Sequence, residues 1–549
     1  MEWRLDYQMQ VIIESNSKIK LENVSELERE IIIQGMSVEI PNNHSTGFGE
    51  QREKRYMCKI NKSSLRTAIT FLPRIYKICV DNNLPITIHD ARLPIPPYKL
   101  SPDHVTPDML DGVTLTDYQI RSIKQAIASD FGILSIPTGG GKTEVAAALT
   151  KLILGNVVIL GDMQVVVSQI TERLKLRGAA DDIGMFFAGE MPNGQSVVVG
   201  SVQSLIPPKP LGIMPVIGQY ESEAEFNKAY TKWESRRKAL NTRAVRQKEL
   251  EGYIKRAQAL IIDEVDTSGN DMFRDVIHNM FKGRIRYGLS GTPFDPLQPV
   301  NNFNIEENCG PIITKVSRSE VEAAGRIVPC RYIMLDYQPP GTTIHDASCY
   351  DIAENIFIND NPYFHGLVLS AMQLHRGEKN VILVKSISLG ENLKKILEED
   401  GFKVEYAHGA TPMKMRNRMF KQFENDEIDI LIGSKIIHRA LDLSGGIDNL
   451  FIAVDTKLSK TLWQMIGRAL RKNAKGYSTI YGVLFRCNKH LYKHSKSHLQ
   501  QLVDSEYDCY VSFGHKLFSG AEFIARNFQP PRSPNTKPGG VEERFLFHK

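Results

Sequence analysis

Short apolar segments alternate with helical patterns in two series along the chain, and this repetition constrains the fold most strongly. Each segment is rich in Val, Ile or Leu and polar at its ends, as buried parallel strands are. The first series lies at residues 132–136, 156–160, 196–199, 259–262 and 286–289. The second lies at residues 331–335, 380–384, 403–406, 429–432, 449–453 and 478–483. The sequence predicts two consecutive α/β domains, each a parallel sheet flanked by helices.

The remaining segments complete the domain organisation. Residues 1–105 read as a small α+β domain with strands at 11–14, 19–21 and 85–90 and helices at 24–33 and 65–82. A proline-rich linker leads into the first α/β domain, 106–327, which a charged helical insertion interrupts at 207–256. The second α/β domain spans 328–510 and is followed by an extension, 511–549, with a proline-rich flexible tail.

The bulk composition bounds the class of protein. A chain of 549 residues is too long for one hydrophobic core. Its formal net charge of +5 permits a polyanionic partner without requiring one. Seven cysteines without a CxxC pair suit a reducing compartment and argue against a disulfide framework or a clustered zinc site. No apolar run approaches the ~20 residues that span a bilayer, so we expect no membrane partner and a cytoplasmic location, associated with a nucleoid or in a host cell.

The segment FGILSIPTGGGKTEVAAALT has the order strand, glycine-rich turn and helix, which indicates a phosphate-binding loop. Backbone N–H groups of the turn and the positive end of the helix dipole would surround phosphate oxygens. Lys142 would reach the β- and γ-phosphates, and the Thr143 hydroxyl would hold Mg²⁺. The alternative is a flexible turn before an ordinary helix. The predicted nucleotide cradle consists of Thr138, Gly139, Gly140 and Gly141.

The segment ALIIDEVD is a hydrophobic strand that ends in clustered carboxylates. Asp263 would bind Mg²⁺, and Glu264 would polarise the attacking water. Adjacent carboxylates at the carboxyl end of a strand lie where open α/β sheets bind ligands. The alternative is a solvated strand end, but phosphate chemistry needs both this pair and the glycine loop upstream.

These motifs, together with those that follow, resemble helicase superfamily 2 in sequence and in order. LTDYQIRSIKQAI is similar to the family segment whose glutamine, here Gln119, contacts adenine. VVVGSVQSL resembles the motif in which a hydroxyl residue, here Ser201, touches the nucleic-acid backbone. GLSGTPF resembles the motif that couples hydrolysis to strand movement, through Ser290 and Thr292. One departure is Gly161-Asp162 where the family usually has Pro-Thr.

The resemblance continues in the second α/β domain. MRNRMFKQFENDEIDILIGS matches the helix and strand that lead to the fifth motif, with Ser434 as a nucleic-acid contact. RALDLSGGIDNLFIAVD keeps the nucleotide-binding Asp442. TLWQMIGRALRKN matches the QxxGRxxR signature, whose Gln464, Arg468 and Arg471 share one helix face. In the family, guanidinium groups of this motif stabilise charge on the transferred phosphoryl group.

The resemblance covers about residues 106–505 and implies two RecA-like domains that hydrolyse ATP with Mg²⁺. The catalytic set that it implies comprises Lys142, Asp263, Glu264, Gln464, Arg468 and Arg471. The DEVD motif and the glutamine that begins the sixth motif point away from DEAD-box RNA helicases. Together with CGPIITKVSRSEVEAAGRIVPCRYI they resemble the duplex-DNA translocases, in particular the phage UvsW-type recombination helicases.

By that resemblance the expected activity is unwinding or remodelling of branched DNA in recombination, repair or replication. Single-strand-binding and recombination proteins are further partners that it suggests. Three alternatives stay open at this point. They are an RNA helicase, the motor part of a restriction or nuclease system, and a DNA-binding protein with a decayed ATPase. The intact Lys142, Asp263, Glu264 and Arg468 argue against the last alternative.

Two basic segments outside these motifs are candidate nucleic-acid contacts. In the N-terminal domain Lys54, Arg55, Lys59 and Lys62 cluster near Tyr56, and a solvated loop is the alternative. The insertion carries a run of cations. It is predicted to be a helical arm that lies against DNA or acts as a wedge beside the motor, and a solvated helical hairpin is the alternative. The cations of the insertion are Lys232, Arg236, Arg237, Lys238, Arg243, Arg246 and Lys248.

Overall fold

The computed structural model of the chain shows two compact units. The first is formed mainly by residues up to Ser317 and the second mainly by residues from Arg318 onward. Among the helices that the structure describes, none combines the length and the apolar composition that a bilayer crossing requires. The described residues are 8–41, 52–61, 64–92, 98–161, 164–187, 189–205, 212–220, 222–295, 298–339, 350–434, 446–454, 466–467, 473–504, 507–513 and 516–525.

The N-terminal domain is a five-stranded sheet with two helices and a separate hairpin. Its strands are β1 (Met9–Ile13), β2 (Lys18–Glu22), β3 (Ser37–Pro41), β4 (Arg52–Tyr56), β5 (Lys59–Ile60), β6 (Leu65–Ala68) and β7 (Ile86–Asp90). Its helices are α1 (Glu26–Gly35) and α2 (Leu72–Asp81). The sheet has the order β5-β6-β2-β1-β7, and β3 pairs with β4. The strands predicted at 11–14, 19–21 and 85–90 and the helix at 24–33 are confirmed within a few residues.

The helix predicted at 65–82 is wrong in its first part. Leu65–Ala68 forms strand β6, which pairs antiparallel with β2, and α2 begins only at Leu72. A short apolar run fits either structure by its periodicity, and Pro73 then favours a helix start at this point because its missing N–H costs nothing in the first turn.

The first α/β domain contains a seven-stranded parallel sheet in the order β10-β11-β9-β12-β13-β8-β14. Its strands are β8 (Phe131–Ser135), β9 (Val157–Gly161), β10 (Ile183–Phe186), β11 (Val197–Ser201), β12 (Ala259–Asp263), β13 (Ile285–Ser290) and β14 (Ile312–Lys315). Its helices are α3 (Asp117–Ala128), α4 (Lys142–Leu152), α5 (Gln164–Leu176), α6 (Glu223–Arg256), α7 (Asp271–Asp275) and α8 (Pro299–Cys309). All five predicted strands are confirmed, whereas β10 and β14 were not predicted.

The N-terminal domain packs against α8 and the neighbouring strand of this first α/β domain. Arg74 of α2 forms a hydrogen-bonded ion pair with Glu306, whose side chain is only 8% exposed, and its guanidinium lies 4.6 Å from the ring centre of Phe303. The Thr70 hydroxyl donates to the Glu307 carbonyl at 2.7 Å. Arg286 of β13, fully buried, donates to the Asn16 carbonyl at 2.7 Å. These contacts hold the small domain on the first α/β domain.

We expect Arg74→Ala to lower the free energy of unfolding of this unit by about 1–3 kcal/mol, because it leaves the buried Glu306 carboxylate without its guanidinium. Residues 1–105 should then be cleaved faster by a protease under native conditions. Lys77→Ala, an exposed cation on the same helix, is the control and should leave both quantities unchanged. Equal stability of the two variants would contradict the anchoring role of Arg74.

The second unit contains an eight-stranded sheet in the order β17-β18-β16-β19-β20-β15-β21-β22. Only the β21–β22 pair is antiparallel among these strands. Its strands are β15 (Cys330–Tyr337), β16 (Asn380–Val384), β17 (Val404–Ala407), β18 (Ile430–Gly433), β19 (Asn449–Ala453), β20 (Ser478–Phe485), β21 (Asp508–Phe513) and β22 (Lys516–Ser519). Its helices are α9 (Arg318–Ala323), α10 (Tyr350–Glu354), α11 (Pro362–Gln373), α12 (Ile387–Glu399), α13 (Met413–Glu424), α14 (Lys489–Asp504) and α15 (Gly520–Ala525).

All six strands predicted for the second domain are present, but its predicted end at residue 510 lies too early. Strands β21 and β22 and helix α15 continue the domain to Ala525, because β21 pairs in parallel with β15. The proline-rich tail that was predicted to be flexible lies outside the described residues. The sequence also predicts the boundary between the two α/β domains at 327/328, whereas the compact units divide at Ser317.

Helix α14 corresponds to the histidine-bearing run NKHLYKHSKSHLQQL, and its buried face explains one of these histidines. His498 lies in the core with its Nε2 2.8 Å from the hydroxyl of Tyr332. Burial lowers the pKa of His498 to about 3, so the ring is neutral and shares a hydrogen bond with the Tyr332 hydroxyl through Nε2. This histidine therefore packs the helix against β15.

Candidate nucleotide-binding site

The glycine-rich loop lies between the end of β8 and the start of α4. Gly139 and Gly141 have φ angles of 83° and 78°, in the left-handed region where a Cβ atom causes strain. Gly141 is the residue that caps α4, and a Cβ atom on it would lie 2.3 Å from Nε2 of Gln119. The loop therefore requires glycine at both positions, and it turns the free N–H groups at the start of α4 toward the carboxyl edge of the sheet.

Gln119 lies directly beside this loop. It is the third residue of α3, and its side-chain oxygen accepts from the backbone N–H of Thr116 at 2.9 Å, which closes a capping box. Its Nε2 lies 3.4 Å from the carbonyl of Gly141. Because the side chain is fully buried, the glutamine fixes the spacing between α3 and the glycine loop. The adenine contact of Gln119 stays a prediction, and in the structure its side chain contacts the backbone of Thr116 and of Gly141.

Asp263 and Glu264 lie at the carboxyl end of β12, in the centre of the sheet. Nζ of Lys142 lies 3.3 Å from Oε1 of Glu264, which brings the predicted phosphate lysine and the predicted water-activating carboxylate together. Glu264 has a φ of 50°, the left-handed conformation that is uncommon for a residue with a side chain. Such strained backbone is concentrated at functional sites, where the surrounding structure enforces it.

The charges of this cluster shift one another. Burial lowers the pKa of Lys142, but the carboxylates of Glu264, Asp263 and Asp266 outweigh it and hold the pKa above its usual value. Burial and the neighbouring Glu264 raise the pKa of Asp263 to about 7, against the opposing effect of Lys142. A buried carboxyl group with a raised pKa beside a second carboxylate is typical of a cation-binding site, because a bound cation would stabilise both negative charges.

The residues present fit a nucleoside triphosphate with Mg²⁺. The Thr143 hydroxyl, in the first turn of α4, and the Asp263 carboxylate are oxygen ligands of the kind that Mg²⁺ prefers. The ammonium of Lys142 and the N–H groups of the glycine loop supply the positive groups that a polyphosphate needs. A magnesium ion bound there would neutralise phosphate charge.

The sequence interpretation missed Asp266, the last residue of the DEVD segment. Its carboxylate is buried and accepts a hydrogen bond from the Ser290 hydroxyl at 2.7 Å. Oγ of Ser290 also accepts from the backbone N–H of Thr292 at 3.2 Å. The ends of β12 and β13 are thereby linked through the motif that was predicted to couple hydrolysis to movement. The signal was present in the sequence, since DEVD contains three carboxylates and only two were assigned.

The other predicted site residues fall in several places. Ser201 ends β11 at the same edge and is 2% exposed, with Oγ accepting from the Gln203 N–H at 3.3 Å. Ser434 follows β18 and is half-buried. Lys54 and Arg55 are exposed on β4 of the hairpin. Asp442, Gln464, Arg468 and Arg471 lie outside the described residues.

Comparisons with known proteins agree with this arrangement. A protein-family model described as "Type III restriction enzyme, res subunit" matches residues 112–295, and one described as "Helicase conserved C-terminal domain" matches residues 365–473. A curated relative, the "ATP-dependent RNA helicase RhlB" of Shewanella denitrificans, is 29% identical over 111 residues. That match spans 20% of this chain and 26% of the relative, so this chain covers about a quarter of the relative's length.

Among solved structures the chain is similar to UvsW of bacteriophage T4, with 15% identity, a TM-score of 0.40 and coverage of 92% of this chain and 99% of that chain. It is similar to a DEAD box protein of Methanococcus jannaschii, with 15% identity, a TM-score of 0.40 and coverage of 73% and 93%. It is also similar to S. cerevisiae Dbp5 bound to RNA and ADP BeF3, with 14% identity, a TM-score of 0.47 and coverage of 75% and 95%.

The two parallel sheets, the glycine loop and the lysine–carboxylate cluster define a P-loop nucleotide-binding protein with two RecA-like α/β domains. The two matching family models narrow this class further. The matches of residues 112–295 and 365–473 to these two models indicate a helicase of superfamily 2.

Proposed function

We propose that the protein is an ATP-dependent DNA helicase or translocase that unwinds or remodels branched DNA such as forks, D-loops and four-way junctions. The observation that carries the ATPase part is the pairing of Lys142 with Glu264 at the carboxyl edge of the sheet, beside Asp263 and the glycine loop. Charge there suits phosphoryl transfer, because Lys142 would supply a cation to the phosphates and the Glu264 carboxylate beside it would orient the attacking water.

Each residue has one task in this proposal. Lys142 binds the β- and γ-phosphates, and Thr143 and Asp263 hold Mg²⁺. Glu264 orients the attacking water and accepts its proton. Arg468 and Arg471, which lie outside the described residues, are proposed to contact the γ-phosphate, with Gln464 on the same helix face and Asp442 at the nucleotide.

The DNA part of the proposal depends on the motif details, namely DEVD and the glutamine of the sixth motif, which resemble the duplex-DNA translocases. The exposed Lys54 and Arg55 of β4, with Tyr56 beside them at 47% exposure, support a phosphate contact in the N-terminal domain. Ser201 and Ser434 are proposed backbone contacts by the same resemblance. Single-strand-binding or recombination proteins are its proposed partners.

Two other functions have specific observations in their favour. The curated relative is named an RNA helicase, and the family model of the first α/β domain is described from a restriction enzyme. The deciding experiment measures ATP hydrolysis and strand separation with single strands, plain duplexes, forks and junctions, each in DNA and RNA versions. Stimulation by branched DNA supports the proposal. Stimulation by RNA alone overturns it, as does ATPase stimulation by duplex DNA without any strand separation or junction remodelling.

Removal of the Ser290 hydroxyl should uncouple ATP hydrolysis from strand separation. In Ser290→Ala the buried Asp266 loses the hydrogen bond that the Ser290 hydroxyl donates, and the ends of β12 and β13 lose this link. We expect ATP hydrolysis to stay within about threefold of the wild type, while strand separation falls about tenfold or more, a coupling loss of about 1.4 kcal/mol. Ser122→Ala removes an equally buried hydroxyl from the same domain and should change neither rate. A parallel fall of both activities would contradict the coupling role.

A further inference from the structure

Helix α6 is far longer than the connection that it makes. It joins β11 to β12, two parallel strands of five residues each, which span about 17 Å. A helix of 34 residues is about 51 Å long. Roughly two thirds of α6 must therefore extend beyond the sheet that it crosses.

The contacts of α6 show which end projects. Near its C-terminus Leu250 and Ile254 are buried in the core of the first α/β domain. The Tyr253 hydroxyl accepts from the N–H of Gly194, which precedes β11, at 2.7 Å. Gln247 donates to the carbonyl of Leu205, which follows β11, at 3.0 Å. Residues 223–246 therefore project past the carboxyl edge of the sheet, the edge that carries Lys142 and Glu264; we call them the arm.

The arm is supported along one side by the segment that precedes it. The rings of Phe226, Tyr230 and Trp233 follow one another at centroid distances of 5.8 and 6.1 Å. Nε1 of Trp233 donates to the carbonyl of Gly212 at 2.9 Å, and Tyr220 contacts Phe226 edge-on. This aromatic row explains how a largely exposed, polar helix stays folded away from the domain core.

A second side of the arm carries five cations and one carboxylate, that of Glu225 in the first turn of the helix. At 100° per residue the five cations fall within an arc of about 80°, all of them are exposed, and we call them the basic face. In the part of the chain that the structure describes, none of them is paired with a carboxylate, whereas Arg237 and Lys238 on other sides both lie near Glu234. The basic face consists of Lys228, Lys232, Arg236, Arg243 and Arg246.

We propose that the basic face of the arm binds the phosphate backbone of DNA; this inference rests on the proposed function. Five unneutralised cations extend over about 27 Å of a straight rod. A DNA duplex carries one charge per about 1.7 Å, so it offers about 16 phosphates over that length and is a straight partner of opposite charge. The arm gives the first α/β domain a foothold on DNA at the edge where ATP is bound. Because it touches phosphates, its contribution is independent of base sequence.

The test compares two triple variants that lose the same net charge from the same helix. Lys232→Gln/Arg236→Gln/Arg243→Gln removes cations from the basic face. Lys238→Gln/Lys248→Gln/Lys255→Gln removes exposed cations that lie about 80° or more outside its arc. Binding of each to a labelled DNA duplex of about 30 base pairs is measured by fluorescence anisotropy, without nucleotide, between about 50 and 200 mM salt.

We expect the slope of log K against log salt to become shallower by about 2 to 3 in the basic-face variant, with binding at least about tenfold weaker at the lowest salt. The control should stay close to the wild type. Lys232→Arg, which keeps the charge, should keep the slope. ATP hydrolysis without DNA should be unchanged in all of them, which shows that the first α/β domain is folded.

Equal slopes for the two triple variants would overturn the inference and assign the basic face to another partner, such as an acidic protein. The proposed function fails differently. A wild-type protein whose ATPase does not respond to DNA would refute that function, while the comparison of the two variants would still decide whether the arm binds DNA.

Discussion

Lys142→Ala is expected to lower the turnover number for ATP hydrolysis by about 10³-fold or more and to raise the Michaelis constant for ATP. The ammonium lies 3.3 Å from the Glu264 carboxylate, and the carboxylates of Asp263 and Asp266 also act on it. Without it, a polyphosphate would face this acidic cluster with one cation fewer. Both the bound substrate and the transition state therefore lose their main counter-charge from the side chains of this domain.

The measurement is steady-state phosphate release with and without DNA. Lys151→Ala is the matched control, because Lys151 is an exposed lysine on the same helix α4 and should leave turnover unchanged. Lys142→Met, which retains the length and apolar stem of the side chain, should be as inactive as the alanine variant. Turnover within tenfold of the wild type in both Lys142 variants would refute the nucleotide site and with it the motor interpretation.

The strands of both α/β domains could be predicted from the sequence because they are buried on both faces and read as continuous apolar runs. Strand β9, VVILG, is an example in which every residue is buried. Strands β10 and β14 escaped prediction, since IGMF is interrupted by glycine and IITK is partly exposed at the end of the sheet. Strand β21 follows a long helix and joins its sheet beside β15, a pairing that no local pattern reveals.

The members of the site were easier to predict than their contacts. The order of glycine loop and carboxylates along the chain follows from the chemistry of phosphate binding, so Lys142, Asp263 and Glu264 could be assigned from local sequence. The hydrogen bond between Asp266 and Ser290 joins two separate loops, and the position of Gln119 against Gly141 depends on how α3 packs. Such contacts are tertiary, and local sequence carries only the identity of the partners.

The arm shows the same limit in another form. Its charge run and its helical character are evident in the sequence, and the structure confirms a continuous helix over Glu223–Arg256. The sequence does not indicate which end of the helix packs against the domain core. The burial of Leu250 and Ile254, together with the hydrogen bonds that Tyr253 and Gln247 make on either side of β11, establishes that the charged two thirds project at the nucleotide edge.

Glu264→Gln should give the complementary result to Lys142→Ala, with turnover lowered by about 10²- to 10⁴-fold and nucleotide binding retained. Glutamine has nearly the same shape, but it cannot accept the proton of the attacking water. It also removes a negative charge 3.3 Å from Lys142, so the ammonium no longer divides its attraction between a carboxylate and a phosphate. The dissociation constant for ATP should therefore be equal to that of the wild type or lower.

The two quantities are separated by measuring equilibrium binding of a fluorescent ATP analogue alongside phosphate release. Glu249→Gln, an exposed glutamate of α6 in the same domain, controls for the change in net charge and should alter neither. Because the variant binds ATP without consuming it, its DNA complex should persist after ATP is added, while the complex of the wild type turns over. Loss of ATP binding together with turnover would mean that Glu264 maintains the strained turn after β12 and is not the group that activates water.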